Sequence, residues 1–313
     1  MNTFRQSPFA RLRFRHLELV RLVTATGSLR AAAHELHQTQ SALSKSLKEA
    51  ESLLGCILFE RTRRGLRPTP EGRVVARGAD VLLREIEHIK EEALASRTNV
   101  ETVLRVGVAP FLAIGLLPGV LNRLLDRTPG VHVRVMEGRV PQLYEALLAG
   151  DLDAILTTYS SENARSDGAA RLLHEQLFEA EVWVIAPANH PAARRSRCTW
   201  KQLAHERWIL PGAPSLIRKL VDDQLLRQGL APVVPVIESA SPLTNVTLVA
   251  SGMGLSAVPA PTLEQVGRAR RARRIKLAPP IPTVPVALVT RATGASNARV
   301  ALLREALRLA CNL

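Results

Sequence analysis

The hydrophobic pattern of the first 60 residues predicts two short helices joined by a tight turn. Ser28 suits a helix N-cap and begins a slim, alanine-rich helix that ends near Leu36. The polar segment 37–39 then breaks the pattern, and Thr39 supplies a second cap. In the next helix, residues 40–54, apolar side chains recur at helical spacing and must face inward: Leu43, Leu47, Ala50 and Leu54.

The opposite face of this second helix is polar and cationic. It carries Gln40, Ser41, Ser44, Lys45 and Lys48. Small polar and cationic side chains on one helical face suit base edges and phosphates. The pattern therefore predicts a helix-turn-helix whose second helix reads DNA, with the caps Ser28 and Thr39 among its candidate contacts.

A glycine and a group of arginines follow in residues 61–68. Gly65 suits a tight hairpin tip, and Arg63, Arg64 and Arg67 predict a basic wing that contacts phosphates or the minor groove. The alternative is a solvated loop. The charge distribution favours contact, because residues 1–70 hold 12 Lys/Arg and 5 Asp/Glu, a net +7 of the total +14. Such an excess fits a polyanionic partner.

The next segment, from Glu71 to about residue 97, predicts one long helix. Its apolar positions are spaced 4, 3, 4, 3 and 4 residues apart: Val75, Ala79, Leu82, Ile86, Ile89 and Ala93. This spacing is the a/d seam of a coiled coil, so we expect a dimerisation helix supported by other contacts. The alternative is a helix packed on its own domain.

From about residue 99 the chain alternates strand-like runs with helices, which is typical of an α/β domain with a largely parallel sheet. The predicted strands are 104–108, 131–135, 154–156, 182–186, 208–210, 234–237, 255–258 and 284–289. The basic run 268–274 is interpreted as solvated surface rather than a second nucleic-acid site, because it lacks interleaved aromatic residues.

Composition narrows the class of protein. Three widely separated cysteines, Cys56, Cys198 and Cys311, match no disulfide framework or ligand spacing. No apolar run is long enough for a membrane span, and the N-terminus fails as a signal peptide, so we expect a cytoplasmic protein. The sequence offers no supported catalytic motif, metal site or cofactor loop, and we expect no enzyme, no metal and no cofactor.

Many residues of the first 72 fall in register with one known pattern. They are Phe14-Arg15-His16-Leu17, Thr26-Gly27-Ser28, Ala31-Ala32-Ala33, Leu36, Thr39-Gln40-Ser41-Ala42-Leu43-Ser44, Glu51, Leu54-Gly55, Leu58-Phe59-Glu60-Arg61 and Arg67-Pro68-Thr69-Pro70-Glu71-Gly72. This segment resembles the winged helix-turn-helix of LysR-type transcriptional regulators. Segments further along, including Leu116-Leu117-Pro118, Gly150-Asp151-Leu152-Asp153 and Gly252-Met253-Gly254-Leu255, resemble the co-inducer domain of the same family.

The resemblance implies a domain plan. An all-α winged helix-turn-helix (residues 1–70) precedes a linker helix (71–98). An α/β effector domain (99–313) follows, with two subdomains resembling periplasmic binding proteins. Subdomain I would comprise about 99–175 and 277–313, and subdomain II about 176–276, with crossovers near residues 175 and 277.

The resemblance also implies an effector cleft between the subdomains. Its candidate residues are Phe111, Arg139, Thr157, Thr158, Pro211, Ser215, Ser241 and Thr244. Phe111 departs from the family, which often has a Ser or Thr there. Arg139 could compensate as a bidentate partner of a carboxylate effector, or it could be a surface arginine.

These features together predict a regulator whose control of DNA bending responds to a small-molecule co-inducer, an organic acid. We expect dimers formed through the linker helix on an inverted-repeat operator in double-stranded DNA, and tetramers formed through the effector domains. RNA polymerase is a further candidate partner, and no membrane is expected. The alternative is an α/β small-molecule binding protein or enzyme with an incidental basic N-terminal domain.

Overall fold

The computed structural model describes residues 11–63, 65–95, 102–159, 171–266, 271–292 and 297–311. The chain divides into two compact units. The N-terminal unit comprises residues 1–101 with 148–151, and the C-terminal unit comprises 102–147 with 152–313. In the described part of the chain, no helix has the length and apolar character that a bilayer span needs.

The N-terminal unit is a winged helix-turn-helix followed by a long helix. Its elements are α1 Phe14–Thr26, α2 Leu29–Glu35, α3 Gln40–Leu54, β1 Phe59–Thr62, β2 Gly65–Pro68 and α4 Pro70–Ala95. The fully buried side chains of Leu19, Val23 and Leu58 form the centre of its core. The strands β1 and β2 pair as an antiparallel hairpin with Thr62 opposite Gly65. Gly65 therefore begins a strand, and the hairpin tip comes before it instead of at it.

The long helix α4 has two kinds of surface along its length. Ala76 and Ala79 are buried in the N-terminal unit, where α4 packs on α1. Beyond them the apolar side chains of Leu82, Ile86 and Ile89 are exposed. The apolar residues of the first heptad are therefore buried within the N-terminal unit. Those of the later heptads form an exposed apolar stripe, which we call the open stripe.

The C-terminal unit contains two five-stranded sheets. Its elements are β3 Thr102–Val108, α5 Pro110–Gly115, α6 Leu117–Arg127, β4 Val131–Glu137, α7 Val140–Ala149, β5 Ala154–Thr158, β6 Leu172–Ala180, β7 Val182–Pro187, α8 Pro191–Arg194, β8 Cys198–Thr199, α9 Trp200–Leu203, β9 Trp208–Leu210, α10 Leu216–Arg227, β10 Ile237–Glu238, α11 Pro242–Ala250, β11 Leu255–Pro259, α12 Ala260–Val266, β12 Ala272–Arg274, β13 Leu277–Ala278, β14 Val284–Arg291 and α13 Ala298–Cys311. The first sheet has the order β4-β3-β5-β14-β6, the second has the order β10-β9-β11-β7-β12, and β13 pairs with β8 separately.

The sheets are mixed, not largely parallel as the sequence predicted. In the first sheet, β14 pairs antiparallel with both β5 and β6. In the second, β7 pairs antiparallel with β11 and β12. The prediction was wrong because β14 and β7 are distant in sequence from strands that they pair with, and local periodicity does not record the direction of such pairings.

Seven of the eight predicted strands are confirmed, and one is largely wrong. Only Ile237 of the predicted strand 234–237 lies in β10, while Val234 and Val236 are exposed before it. The nine-residue strand β6 was not predicted, because charged and polar residues interrupt it. The chain leaves the first sheet after Ala180, at the end of β6, and this strand contains the position near residue 175 where a crossover strand is expected. It returns between Ala278 and Val284, a few residues beyond the expected position near 277.

Candidate DNA interface and effector cleft

The recognition helix α3 is fixed at both ends by its own sequence. Thr39 is its N-cap, and the Thr39 side chain accepts a hydrogen bond from Ala42 N at 3.2 Å. Gly55 ends the helix in the left-handed conformation, and its N–H donates to Glu51 O. Leu43, Leu47 and Ala50 are buried, as the spacing predicted. The polar face of α3 must therefore point away from the core.

That face carries the predicted DNA-binding residues. Gln40, Ser41, Lys45 and Lys48 are exposed, and Ser44 is half-buried. Thr39 is also exposed and lies 3.1 Å from Ser41 between hydroxyl oxygens. Ser28, the N-cap of α2, is half-buried and its Oγ accepts from Ala31 N, so its cap role is fulfilled within the fold.

The wing is held against the turn between α1 and α2. Leu66 N–H donates to Gly27 O at 2.7 Å, and a Cβ on Gly65 would lie only 2.5 Å from the same oxygen. Gly65 also has φ +122°, which favours glycine. Arg63 and Arg67 are exposed on this hairpin. Arg64 lies outside the described residues.

A buried histidine that the sequence did not single out links α1 to α3. His16 has no exposed surface, and its Nδ1 accepts the Arg13 N–H at 3.2 Å. Its Nε2 lies 3.6 Å from the Glu49 carboxylate on α3. Burial lowers the pKa of His16, against the opposing effect of Glu49. At neutral pH His16 is therefore an uncharged imidazole, and its buried Nε2 makes no hydrogen bond among the described residues.

In the C-terminal unit, three parallel strands of the first sheet end side by side. In β3, the C-terminal residue Val108 pairs with Glu137 of β4 and with Leu156 of β5. Backbone hydrogen bonds extend the alignment: Ala109 N donates to Leu156 O at 2.9 Å and Gly138 N donates to Val108 O at 3.3 Å. The segments at 109–111, 138–139 and 157–158 are therefore brought together, as the family resemblance implied.

The second sheet forms a matching edge. The strands β9, β10 and β11 are parallel, and Ser239 N donates to Leu210 O at 3.1 Å just beyond the ends of β9 and β10. Pro211 is buried here and Ser215, the N-cap of α10, is half-buried. Ser241 and Thr244 are exposed at the start of α11, where Ser241 Oγ accepts from Thr244 N at 3.3 Å.

The helices that leave these two edges contact each other. α5 follows β3 and α12 follows β11, and the two helices pack closely at Gly115, where a Cβ would lie 2.6 Å from Pro261 Cβ. Each of these helices starts at the carboxyl end of a strand. The contact between α5 and α12 therefore joins the carboxyl-end sides of the two sheets. Open α/β sheets bind ligands at this position.

The structure buries the side chain of the candidate effector residue Phe111, and its contact with an effector stays a prediction. Phe111 is 5% exposed and packs in the main hydrophobic core. A phenyl ring at the second position of α5 gains more from burial than from an open polar cleft, so it turns inward. Arg139, in contrast, is exposed directly before α7, and its N–H donates to Gln142 Oε1.

Among the buried polar side-chain atoms that lack a hydrogen-bond partner within the described residues, two lie near the end of β5 and at the start of α11. One is the hydroxyl of Thr157, which has no exposed surface, and Thr158 beside it is half-buried. The other is Oδ1 of Asn245, whose Nδ2 donates to Ser239 O at 3.3 Å. Buried polar atoms are normally satisfied, so both atoms are suited to receive a ligand. Asn245 was missed in the sequence, where a single amide in the first turn of an apolar helix was the only signal.

A second polar group adjoins Thr157. The rings of Tyr159 and His174 contact each other in a tilted arrangement with 4.8 Å between centroids, and the Tyr144 hydroxyl lies 3.0 Å from His174 Nε2. Burial lowers the pKa of His174 and raises the pKa of Tyr144 to about 12. At neutral pH both side chains are therefore uncharged.

A shallow cavity of about 290 Å³ lies elsewhere, between residues 204–206 and 230–234. These residues precede β9 and β10, so they border the amino ends of the strands. The cavity is thus separate from the edge where the predicted effector residues converge.

Comparison with known proteins identifies a matching family model for each of the two units. A family model described as the LysR substrate binding domain matches residues 97–312. A second, described as the bacterial regulatory helix-turn-helix protein of the lysR family, matches residues 14–73. The N-terminal domain is therefore not incidental to the chain.

Individual proteins support the same assignment. The transcriptional regulator TtuA of Agrobacterium vitis is 31% identical over 73% of this chain and 77% of its own length. MetR of Salmonella typhimurium is 29% identical over 82% and 78%. A full-length OxyR variant from Pseudomonas aeruginosa has a TM-score of 0.65 at 25% identity and covers 96% of both chains. CbnR in complex with its target DNA shares the fold, with a TM-score of 0.59 at 20% identity over 96% of this chain and 100% of that one.

The family model of the effector domain covers more than half of the chain, and the winged helix-turn-helix precedes it in the expected order. The chain therefore belongs to the LysR family and is a transcriptional regulator with a DNA-binding domain and an effector-binding domain.

Proposed function

We propose that a small organic acid controls this regulator by binding between the carboxyl ends of the strands of its two subdomains. The observation that carries the proposal is the pair of buried, unpartnered atoms, Thr157 Oγ1 and Asn245 Oδ1, one at each edge. A bound ligand that donates or accepts hydrogen bonds at both atoms would contact both subdomains. Such a ligand couples its own binding to the angle between them.

The charges near the two edges define the class of ligand. The exposed Arg139 can hold a carboxylate in a bidentate manner. Glu238, at the end of β10, places its carboxylate 3.0 Å from the Cβ position of Gly212 in the loop after β9. A carboxylate there favours ligand hydroxyl groups, which donate hydrogen bonds to it. Hydroxylated aromatic or sugar acids combine both properties.

On the DNA side, we propose that the exposed face of α3 enters the major groove and that the arginines of the wing contact phosphates. Lys45 and Lys48 on α3 and Arg63 and Arg67 on the hairpin are exposed and cationic, which supports this assignment. Ser28 contributes through the cap that fixes α2.

For assembly, we propose a dimer through α4 and a tetramer through the effector domains. The two winged helix-turn-helix domains of a dimer would then bind one inverted repeat. The exposed stripe at Leu82, Ile86 and Ile89 supports the dimer, because exposed apolar heptads favour a partner helix. The edge strands support the tetramer, since apolar side chains are exposed on or beside β4 and β10: Val135, Met136, Val234 and Val236. Effector binding would then change the DNA bend and the contact with RNA polymerase.

The test is a thermal-shift screen of aromatic and sugar acids on the full chain. A true effector at about 100 times its Kd stabilises the protein by about 2.7 kcal/mol and raises the midpoint. Arg139→Ala and Thr157→Val should reduce this shift while operator binding persists. Lys45→Ala should weaken operator binding and leave the shift intact. A normal effector response from both cleft variants would contradict the proposed cleft.

A further inference from the structure

One border of the second sheet carries a dense positive charge. Four of the six residues from 271 to 276 are Arg or Lys. The edge strand β12 lies within this run, and Arg271, Arg273 and Lys276 are exposed in and beside it. The charge therefore lies at an open sheet edge.

A second basic run, distant in sequence, lies alongside the first. Arg194, Arg195 and Arg197 are all exposed. Two backbone hydrogen bonds of 2.8 Å fix the two runs side by side, from Ala188 N to Arg271 O and from Cys198 N to Lys276 O. The strands β8 and β13 then continue the pairing in parallel. The fold thus combines residues 194–197 and 271–276 into one surface, which we call the basic border.

Acidic residues do little to neutralise the basic border. The sequence has no Asp or Glu from 182 to 205 or from 265 to 304. The flanking Glu181 pairs with Arg274 at 3.2 Å, and the flanking Glu206 lies 3.4 Å from His190 Nε2. Among the described residues of the border, Arg274 is the one with a carboxylate partner within ion-pair distance.

The structure also supplies an aromatic residue that the sequence run lacks. Arg274 stacks its guanidinium over the Trp183 ring at 4.3 Å from the centroid, and Trp183 Nε1 donates to Glu181. This contact holds one end of β12 in place. Arg273 is therefore displayed from a paired strand, and the carbonyl groups of Arg271 and Lys276 beside it accept backbone hydrogen bonds from Ala188 and Cys198.

We propose that the basic border is a second DNA-binding surface, which contacts phosphates flanking the operator. The proposal rests on operator binding by the N-terminal unit. Six extended residues span about 20 Å, over which a duplex presents on the order of ten phosphate charges. A tethered duplex meets this surface at high effective concentration, so weak phosphate contacts suffice, which favours DNA over an acidic protein partner.

The experiment uses the full chain and a duplex that the protein itself selects from a randomised library, extended on both sides by random-sequence flanks of increasing length. Two test variants remove three charges each: Arg194→Gln/Arg195→Gln/Arg197→Gln and Arg271→Gln/Arg273→Gln/Lys276→Gln. The matched control removes three exposed charges outside the border: Arg207→Gln/Arg227→Gln/Arg308→Gln. Affinity is measured by fluorescence anisotropy as a function of salt.

Wild type should show a steeper salt dependence once the flanks are long enough to reach the border. Each lost phosphate contact lowers the magnitude of the slope of log K against log salt by about 0.9. The slope of each test variant should therefore be smaller than that of wild type by about 2 to 3 on long duplexes and unchanged on short ones. The control should lose nothing on either. Equal slopes for test and control variants, or a wild-type slope independent of flank length, would overturn the proposal and leave an acidic protein as the partner.

The design separates two failures. If no duplex is selected, operator binding itself is refuted. If short duplexes bind normally and the flanks add nothing, only the basic border is refuted. Each test triple lies on a different segment, so misfolding of one, seen as a lowered melting temperature, leaves the other as a valid test.

Discussion

Two glycines on the same helix should respond in opposite ways to alanine. At Gly72, near the start of α4, an added Cβ would lie 2.0 Å from the Leu58 carbonyl oxygen. At Gly78, six residues further along, nothing lies within 4 Å of the added atom. The substitution and the helix are the same in both variants. Their difference in stability therefore measures the packing of α4 against Leu58, directly before β1.

The magnitude follows from the contacts of Gly72. Ordinary contact begins at 3.4 Å, so the helix and the Leu58 carbonyl must separate by about 1.4 Å. Thr69 links the same groups: its N–H donates to Leu58 O, its hydroxyl donates to Ile57 O, and its Oγ1 accepts from Gly72 N. Loss of these bonds costs about 1 kcal/mol each, and overpacking costs about 1–3 kcal/mol. Alanine regains about 1 kcal/mol of helix propensity, which leaves a net loss of about 3–5 kcal/mol. Gly78→Ala should instead stabilise by about 1 kcal/mol.

The two units can be followed separately. All three tryptophans, Trp183, Trp200 and Trp208, lie in the C-terminal unit, so their fluorescence reports that unit, whereas far-ultraviolet circular dichroism also reports the N-terminal helices. In a domain of this size, 1 kcal/mol shifts Tm by about 4–8 °C. Gly72→Ala should lower the midpoint of the N-terminal transition by about 12–40 °C and weaken operator binding, while Gly78→Ala raises that midpoint by about 4–8 °C. Similar shifts for the two variants would refute the packing argument.

Three other predictions concern buried charge, pH and assembly. Asp153→Ala should destabilise the C-terminal unit by about 3–5 kcal/mol in urea unfolding, because the buried Arg299 guanidinium, 3.5 Å from Asp153, loses its carboxylate; a loss below about 1 kcal/mol would contradict this. The pKa of His16 is lowered in the folded state, so its contribution to stability is complete above about pH 6.5 and is lost as the pH falls below that value. Between about pH 7.5 and 5.5, the Tm of the N-terminal unit should therefore decrease less in His16→Gln than in wild type. Ile89→Glu should dissociate dimers in analytical ultracentrifugation without lowering the Tm of either unit, and an unchanged mass would refute the role of the open stripe.

The N-terminal unit could be predicted almost completely because its structure is encoded locally. The caps Ser28 and Thr39 and the inward face of α3 each depend on residues within one or two helical turns. The wing was misplaced only by the position of its tip. His16 was missed because a histidine in an amphipathic helix gives no sign of being buried against Glu49, more than 30 residues away.

The C-terminal unit was less predictable because its key contacts are distant in sequence. Local periodicity located β14 but could not show that it lies antiparallel between β5 and β6. Family resemblance indicated which segments follow the strand ends, yet it could not show that the Phe111 side chain turns into the core. The same limit concealed Asn245 and the joining of the two basic runs.

If the effector binds at the strand ends as proposed, the crossovers would let it act on both subdomains. The first crossover follows Ala180, and Val284 on the returning strand pairs with Ala180, so the two connections between the sheets start side by side. Two adjacent connections form a natural hinge, because rotation about them changes few backbone dihedral angles. Glu181 O also accepts the Ala260 N–H at the start of α12, which ties the hinge to the helix that packs on α5. A ligand that contacts both Thr157 and Asn245 would fix the hinge at one angle, and a ligand that contacts only one would leave it free. Effector selectivity in this regulator should therefore depend on the distance between the ligand's polar groups as well as on their charge.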